Sequence, residues 1–386
     1  MKLYVALVTM IFVSIAVFID IEYREKNNIH IVEHRDFHYT PLVYYGDSYL
    51  TYNPAGGISM QTRCLTEALV FAYKLNRILI VPDFYETYEG KSGLDPSTVI
   101  DFEFLQSRVE MLGVHVLRKK DAPFIPSNET HVIGPLTIGE TSFLPLNNIT
   151  QYDVPKKLIV FMWLFSYVKY ETEQEKKLFH AIQASVRSSS IIRQSSELWL
   201  KNLRHYASTP ECRNFHHYTK SRSGFVCIHL RIEKDFEETF KGPPSFIPLP
   251  EIRERVKTQM KRLFQAVGIR TLYIAGGIAT KEWAGGMFPC IFNKEDVASF
   301  NDSLLQRHYL SSLPAIVDKE VCREADIFIG NRYSTFSESI VDWRMRHGSK
   351  RNEYPWLSLD YSGYETHIKP YCSANAKQYW DMDCDD

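Results

Sequence analysis

At 386 residues the chain is too long for one small core and the right length for two domains of ordinary size. With 45% hydrophobic and 24% charged residues it reads as globular, and 45 basic groups against 46 acidic ones leave no field that would gather nucleic acid. Nucleic-acid binding is therefore disfavoured, and the chain must be read for a binding or catalytic body instead.

The N-terminus stands apart. Leu3 to Ile19 carries no charge and is closed by Asp20, Glu22, Arg24 and Lys26, which is the lower limit of length for a membrane-spanning helix. A cleaved leader would want a shorter apolar stretch and small residues before the cut; "AVFIDIEY" offers no such site, so the reading is an uncleaved anchor over residues 1–20. Residues 21–41 are polar and His-rich, a short stem. Lys and Arg on the two sides do not fix an orientation. The sequons Asn128-Glu-Thr, Asn148-Ile-Thr and Asn301-Asp-Ser are N-glycosylation acceptors if the body lies in a secretory lumen, and they lean the reading that way. Seven cysteines (64, 212, 227, 290, 322, 372 and 384) show no Cys-x-x-Cys spacing, which argues against zinc and for scattered disulfides. The odd count leaves one thiol over, and Cys227, inside an apolar run, is the candidate.

The folded body begins near Leu42. "SYLTYN" predicts a strand and "PAGG" a turn. Apolar residues at Leu65, Ala68, Leu69, Ala72 and Leu75 predict a helix, and "RILIVPDF" a second strand stopped by Pro82. This is a βαβ unit, the building block of parallel sheets. Residues 150–220 read as a helical bridge. From Gly224 the pattern restarts: the "FVCIHLR" strand, a Pro-rich loop, a helix over Ile252 to Val267, the "TLYIAGG" strand, the "ADIFIG" strand and a helix in "STFSESIVDWRMRHG". The body thus divides into an N-terminal lobe over 42–215 and a C-terminal lobe over 216–386. The acidic tail "DMDCDD" reads as a solvated end, not a metal site.

Three stretches carry chemistry. In open α/β sheets ligands sit beyond the carboxyl ends of the strands, and that is where His229 and Arg231 fall. Arg231 presents a rigid fork of donors suited to phosphate oxygens, with an ion pair to Glu233 or Asp235 as the equal competing reading, and His229 taken alone reads more readily as a hydrogen-bonded structural imidazole. In "DIFIGNRYSTFSESI", Thr335 and Glu338 have capping-box spacing, so a helix should start there; its free amides could hold an anion, or it could be an ordinary well-capped helix. Gly56 and Gly57 in "NPAGGISMQTR" allow a tight turn or a close backbone approach to a ligand. No G-x-G-x-x-G, G-x-x-x-x-G-K-[ST], G-x-S-x-G or paired-His motif occurs, which removes dehydrogenase, P-loop, serine-hydrolase and metalloprotease readings.

Together "GGISMQTRCLTEALVFAYKLNRILIVP", "HLRIEKDF", "LYIAGG", "MFPCIFNKEDV" and "EADIFIGNRYSTFS" resemble the GDP-fucose protein O-fucosyltransferase superfamily over roughly residues 42–345. The resemblance implies an α/β fold of two facing Rossmann-like lobes of the GT-B type. It implies an inverting transfer of fucose from GDP-fucose to a hydroxyl of a protein or glycan acceptor, with no cofactor and no required metal. Arg231 would neutralise the departing diphosphate, His229 and Asp235 would hold the nucleotide and order its loop, and Asp326 would meet guanine or ribose. Ser334, Thr335 and Phe336 would contact phosphate and base. Gly56, Gly57 and Ser59 would line the N-lobe side, with Glu67 a candidate general base. Ser59 and Met60 depart from the Asn or Gln of many relatives, and Gln61 or Ser59 would have to substitute. An enzyme anchored in the Golgi or endoplasmic reticulum membrane with a lumenal body follows. The alternatives are a catalytically silent lectin or chaperone on the same fold, or a transferase using another nucleotide sugar.

Overall fold

The computed structural model describes residues 47–54, 56–85, 93–134, 144–162, 168–213, 224–229, 270–276, 281, 284–286, 288–298, 313–331, 335–347, 357–359 and 368–370. The expected anchor, the helix over Ile252 to Val267, Asn301 and the acidic tail lie outside them. Among the described residues no helix is long and apolar enough to cross a membrane.

Strand β1 (Tyr49–Tyr52), helix α1 (Ile58–Leu75) and strand β2 (Ile78–Val81) form the expected βαβ unit, with the strands parallel in the register Tyr49 to Ile78. Leu65, Ala68, Leu69, Ala72 and Leu75, which carried the helical spacing, are all buried, and so is every residue from Cys64 to Ala72, so α1 is covered on all sides there. Asn76 ends the helix in the left-handed region at φ 49°. There its N–H reaches back to the last carbonyls, and the chain reverses directly into β2.

Three further strands, β3 (Val116–Arg118), β4 (Thr130–Ile133) and β5 (Leu158–Phe161), complete a wholly parallel sheet in the order β3-β2-β1-β5-β4. Helix α2 (Phe102–Glu110) precedes β3 and is capped by Asp101, whose carboxylate accepts from Phe104 N. Strand β5 was hidden in the sequence at the edge of the region read as helical. Four apolar residues do not distinguish a buried strand from a helix start, and β5 earns its state by pairing on both sides inside the sheet.

The helical middle consists of α3 (Glu173–Ser185), opened by a Thr172/Glu175 capping box, and α4 (Ser190–Ala207). Helix α3 packs on α1 and α2, whereas α4 packs on α5 (Leu313–Arg323) of the second half. Between α3 and α4, Ser188 Oγ donates to Glu320 Oε1 of α5 at 2.5 Å, and Arg323 Nη1 donates to the same oxygen at 2.6 Å. The helical middle thus packs on elements of both halves.

The second sheet contains β6 (Val226–Ile228), β7 (Thr271–Ile274), β8 (Cys290–Asn293), β9 (Ile327–Asn331), β10 (Leu357–Leu359) and β11 (Ile368–Pro370) in the order β8-β7-β6-β9-β10-β11. Its first five strands are parallel and β11 is antiparallel. Both faces of β6 and β7 are covered, so every residue in them is buried, as a parallel sheet between helices requires. One continuous apolar core joins the two halves.

Cys227 is not the leftover thiol. Its side chain leaves β6 toward α5 and closes a disulfide with Cys322, and Cys212, just past α4, closes a second one with Cys290 of β8. The apolar surroundings that suggested a buried thiol are the two elements the bridge joins. Cys64, buried in α1, stands outside both disulfides.

Candidate functional site

Strand order in the second sheet reverses direction between β6 and β9, and in doubly wound sheets the crevice at that switch, beyond the carboxyl ends, takes the ligand. His229 sits there: its backbone N–H continues the ladder to Ile329 O at 2.8 Å, and its ring leaves the sheet edge. Helix α6 (Thr335–His347) starts four residues after β9 and brings two side chains onto that ring. Ser337 Oγ lies 2.9 Å from His229 Nδ1, and the Phe336 ring lies over the imidazole at 4.2 Å between centroids. His229 is only 8% exposed and Ser337 is buried.

Gly330 explains how α6 comes so close. A Cβ on Gly330 would stand 2.7 Å from Ser337 Oγ and 2.8 Å from Phe328 Cε1, so only glycine lets the helix start rest on the strand end. The first turn of α6 has amides without carbonyl partners in the helix, and these carry the positive end of its dipole. A held imidazole, an aromatic face and a helix N-terminus converging on one crevice suit an anionic, partly planar ligand such as a nucleotide diphosphate. The helix begins at Thr335, where the Thr335/Glu338 spacing placed its start. Ser334, Arg231 and Asp235 lie outside the described residues.

Asp326 is not brought to this group. It precedes β9, at the opposite end of the strands from His229, where its carboxylate accepts from Phe225 N at 2.9 Å and its own N–H donates to Phe225 O at 3.0 Å. It fastens the amino ends of β6 and β9.

On the other sheet, the Gly56-Gly57 turn follows β1. Gly56 has φ 71°, in the region that favours glycine, and Gly57 takes the extended N-cap position of α1. The turn is pinned by Gln61, which donates to Gly56 O at 3.0 Å and Tyr85 O at 3.2 Å and accepts from Tyr85 N at 2.7 Å. Ser59 is buried in the first turn of α1. Glu67, at 1% exposed, lies inside the packing of α1, where Tyr170 donates its hydroxyl to the carboxylate. Burial pushes the Glu67 carboxyl up to about 7, against the opposing pull of Tyr170 and Arg63. Helix α1 packs on both α5 and α6, so this lobe meets the crevice lobe through that helix.

A second buried acid escaped the sequence reading. Asp318 of α5 accepts from the Tyr273 hydroxyl at 2.5 Å, and burial pushes it up to about 7 as well. Its signal, an isolated Asp in an apolar helix, is too common to single out. Ser337 and Gly330 were missed for the opposite reason: they are small and serve by contact distance, which only coordinates reveal.

Two parallel α/β sheets, bridged by helices and with the strand order of the second reversing between β6 and β9, define a Rossmann-type α/β fold of the GT-B kind. Residues 49–346 match the family model of the GDP-fucose protein O-fucosyltransferases, and the chain belongs to that family. It is 30% identical over 131 residues to O-fucosyltransferase 23 of Arabidopsis thaliana and 31% identical over 129 residues to O-fucosyltransferase 14 of the same plant. Each match covers 30% of this chain and only 28% and 22% of those relatives' own length. The fold is similar to the crystal structures of POFUT1 in complex with GDP and with GDP-fucose, each at a TM-score of 0.50. At 15% and 14% identity, these cover 80% and 79% of this chain and 97% and 96% of theirs.

Proposed function

We propose that the protein is a fucosyltransferase that moves fucose from GDP-fucose to a hydroxyl of a protein or glycan, with inversion and without a metal. The observation that carries this is the meeting of His229, Phe336 and Ser337 at the switch-point crevice, in a chain of this family. Arg231, two residues beyond His229 in sequence, supplies the cation that neutralises the diphosphate as the glycosidic bond breaks, with the amides of the α6 start beside it. Stabilisation of charge that grows in the transition state raises the rate without a metal. Asp235, Ser334 and Thr335 complete the nucleotide contacts.

The body faces a secretory lumen, behind an anchor at Leu3 to Ile19 in the Golgi or endoplasmic reticulum membrane. Two disulfides and the exposed sequon residues Asn128 and Asn148 support that compartment. Melting temperatures measured with GDP, UDP and CMP side by side test the donor: a rise with GDP alone is expected, and a rise with UDP or CMP instead overturns it.

A second reading has its own support. Gln61, the first side-chain amide after the Gly pair, is committed to backbone groups, and Ser59-Met60 replaces the Asn or Gln of many relatives. A silent lectin or chaperone that keeps the nucleotide crevice would tolerate this. GDP binding without hydrolysis or transfer of GDP-fucose would select that reading.

A further inference from the structure

Phe124 is 89% exposed, more than any other large hydrophobic side chain among the described residues. A solvated phenyl ring at the tip of a mobile loop would need no explanation, but this loop is held. Pro123 and Pro126 fix φ on either side of the ring, and residues Ser127–Glu129 form a 3-10 turn closed by Glu129 N to Pro126 O at 3.0 Å. Thr130 Oγ1 donates to the same carbonyl at 3.0 Å, and Lys156 Nζ donates to Asn128 O at 2.9 Å. An apolar surface has been built and left in water.

Four residues on, in the same held turn, stands Asn128 of the sequon Asn128-Glu129-Thr130, with its side chain exposed. The C–H faces of pyranose rings carry weak positive charge and pack flat on the negative face of an aromatic ring. Four residues of chain separate the two Cα atoms by at most about 14 Å, and the turn shortens this, so the rings of an N-linked core reach Phe124. We propose that Asn128 carries an N-glycan and that Phe124 is the platform on which its first sugars lie. The same glycan would guard β4, which begins at Thr130, is the edge strand of its sheet among the described residues and exposes His131 and Val132 there. The proposal rests on the lumenal placement of the body.

The test uses the full chain expressed in animal cells. Glycopeptide mass mapping first reads Asn128 and Asn148. Modification of Asn128 is expected. Modification of Asn148 with Asn128 bare overturns the proposal while leaving the lumenal placement standing, and both sites bare overturns both. In an Asn148→Gln, Asn301→Gln background, melting is then compared for the parent and Phe124→Ser, each before and after enzymatic removal of the glycan. Phe124 touches no core, so the variant folds. Removal should lower the melting temperature of the parent by about 1–2 °C more than that of Phe124→Ser. Equal losses in both would sink the platform, even with Asn128 glycosylated.

Discussion

His229 and Ser337, 108 residues apart in the chain, lie 2.9 Å apart between Nδ1 and Oγ, and both are buried at the crevice. The contact fixes which ring nitrogen faces the helix. Ser337→Ala removes the partner and leaves a buried nitrogen without it, at a cost of about 1–2 kcal/mol in stability. GDP affinity, measured by calorimetry on the folded protein, should fall with it. Unchanged affinity would reduce His229 to a structural residue.

Gly330→Ala should do more damage than its single methyl suggests. The added Cβ meets Ser337 and Phe328 at under 3 Å, so the start of α6 must leave the strand end. Overpacking of this kind costs about 1–3 kcal/mol, and GDP binding should be lost in the fraction that remains folded. Denaturant titration and calorimetry on one preparation read both.

The acidic groups of the core set a pH dependence. Glu67 and Asp318 have folded values of about 7, above their ordinary 4.5 and 3.8. Between pH 4 and 7 the unfolded chain has released these protons and the folded chain still holds them, so stability falls as pH rises through that window and levels off above it. Glu67→Gln keeps an acceptor for Tyr170 and removes the ionisation. It should be near neutral at pH 5 and stabilise by about 1–3 kcal/mol at pH 8, as read from urea midpoints at the two pH values. An equal effect at both pH values would show that burial does not oppose this charge.

Reduction of the two disulfides should lower stability substantially. Cys227 and Cys322 close a loop of 95 residues and Cys212 and Cys290 one of 78, spans for which each bridge contributes about 2–4 kcal/mol. Cys227→Ala with Cys322→Ala should therefore melt well below the parent in the absence of reductant, and peptide mapping of the parent without reduction should recover both pairs.

Arg231 carries the mechanistic prediction. Lys keeps the charge but loses the bidentate fork and Ala loses both, so turnover should fall in that order, with Ala costing about a hundredfold, on the order of 3 kcal/mol. Turnover in the presence of EDTA should be unchanged. Normal turnover per folded molecule of the Ala variant would remove Arg231 from the chemistry.

What was legible in the chain was whatever repeats with a period. The helix α1, the buried runs of β6 and β7 and the helical character of the middle were legible, because apolar order and helix-forming runs write themselves into the sequence. The position of His229 at a strand end was legible for the same reason. Partners distant in sequence were not: Cys322 for Cys227, Tyr170 for Glu67 and Ser337 for His229 are chosen by where helices cross the sheets. The family resemblance implied a ligand role for Asp326, but the fold puts it at the amino end of β9, paired with Phe225.

Each sheet also has a buried arginine at its amino end. Arg77, ahead of β2, reaches Asp153 at 2.8 Å and the carbonyls of Val154 and Lys156 at 2.7 and 2.8 Å, drawing the starts of β2 and β5 together. Arg344 of α6 donates to the carbonyls of Arg323, Ala325 and Asp326 below β9. Each lock lies at the amino end of its own sheet, away from the carboxyl-end rim. Rim loops can therefore be lengthened, shortened or exchanged without disturbing what aligns the strands. A scaffold fastened from beneath is free to change its clientele, and the loops of this chain are the place to graft a new one.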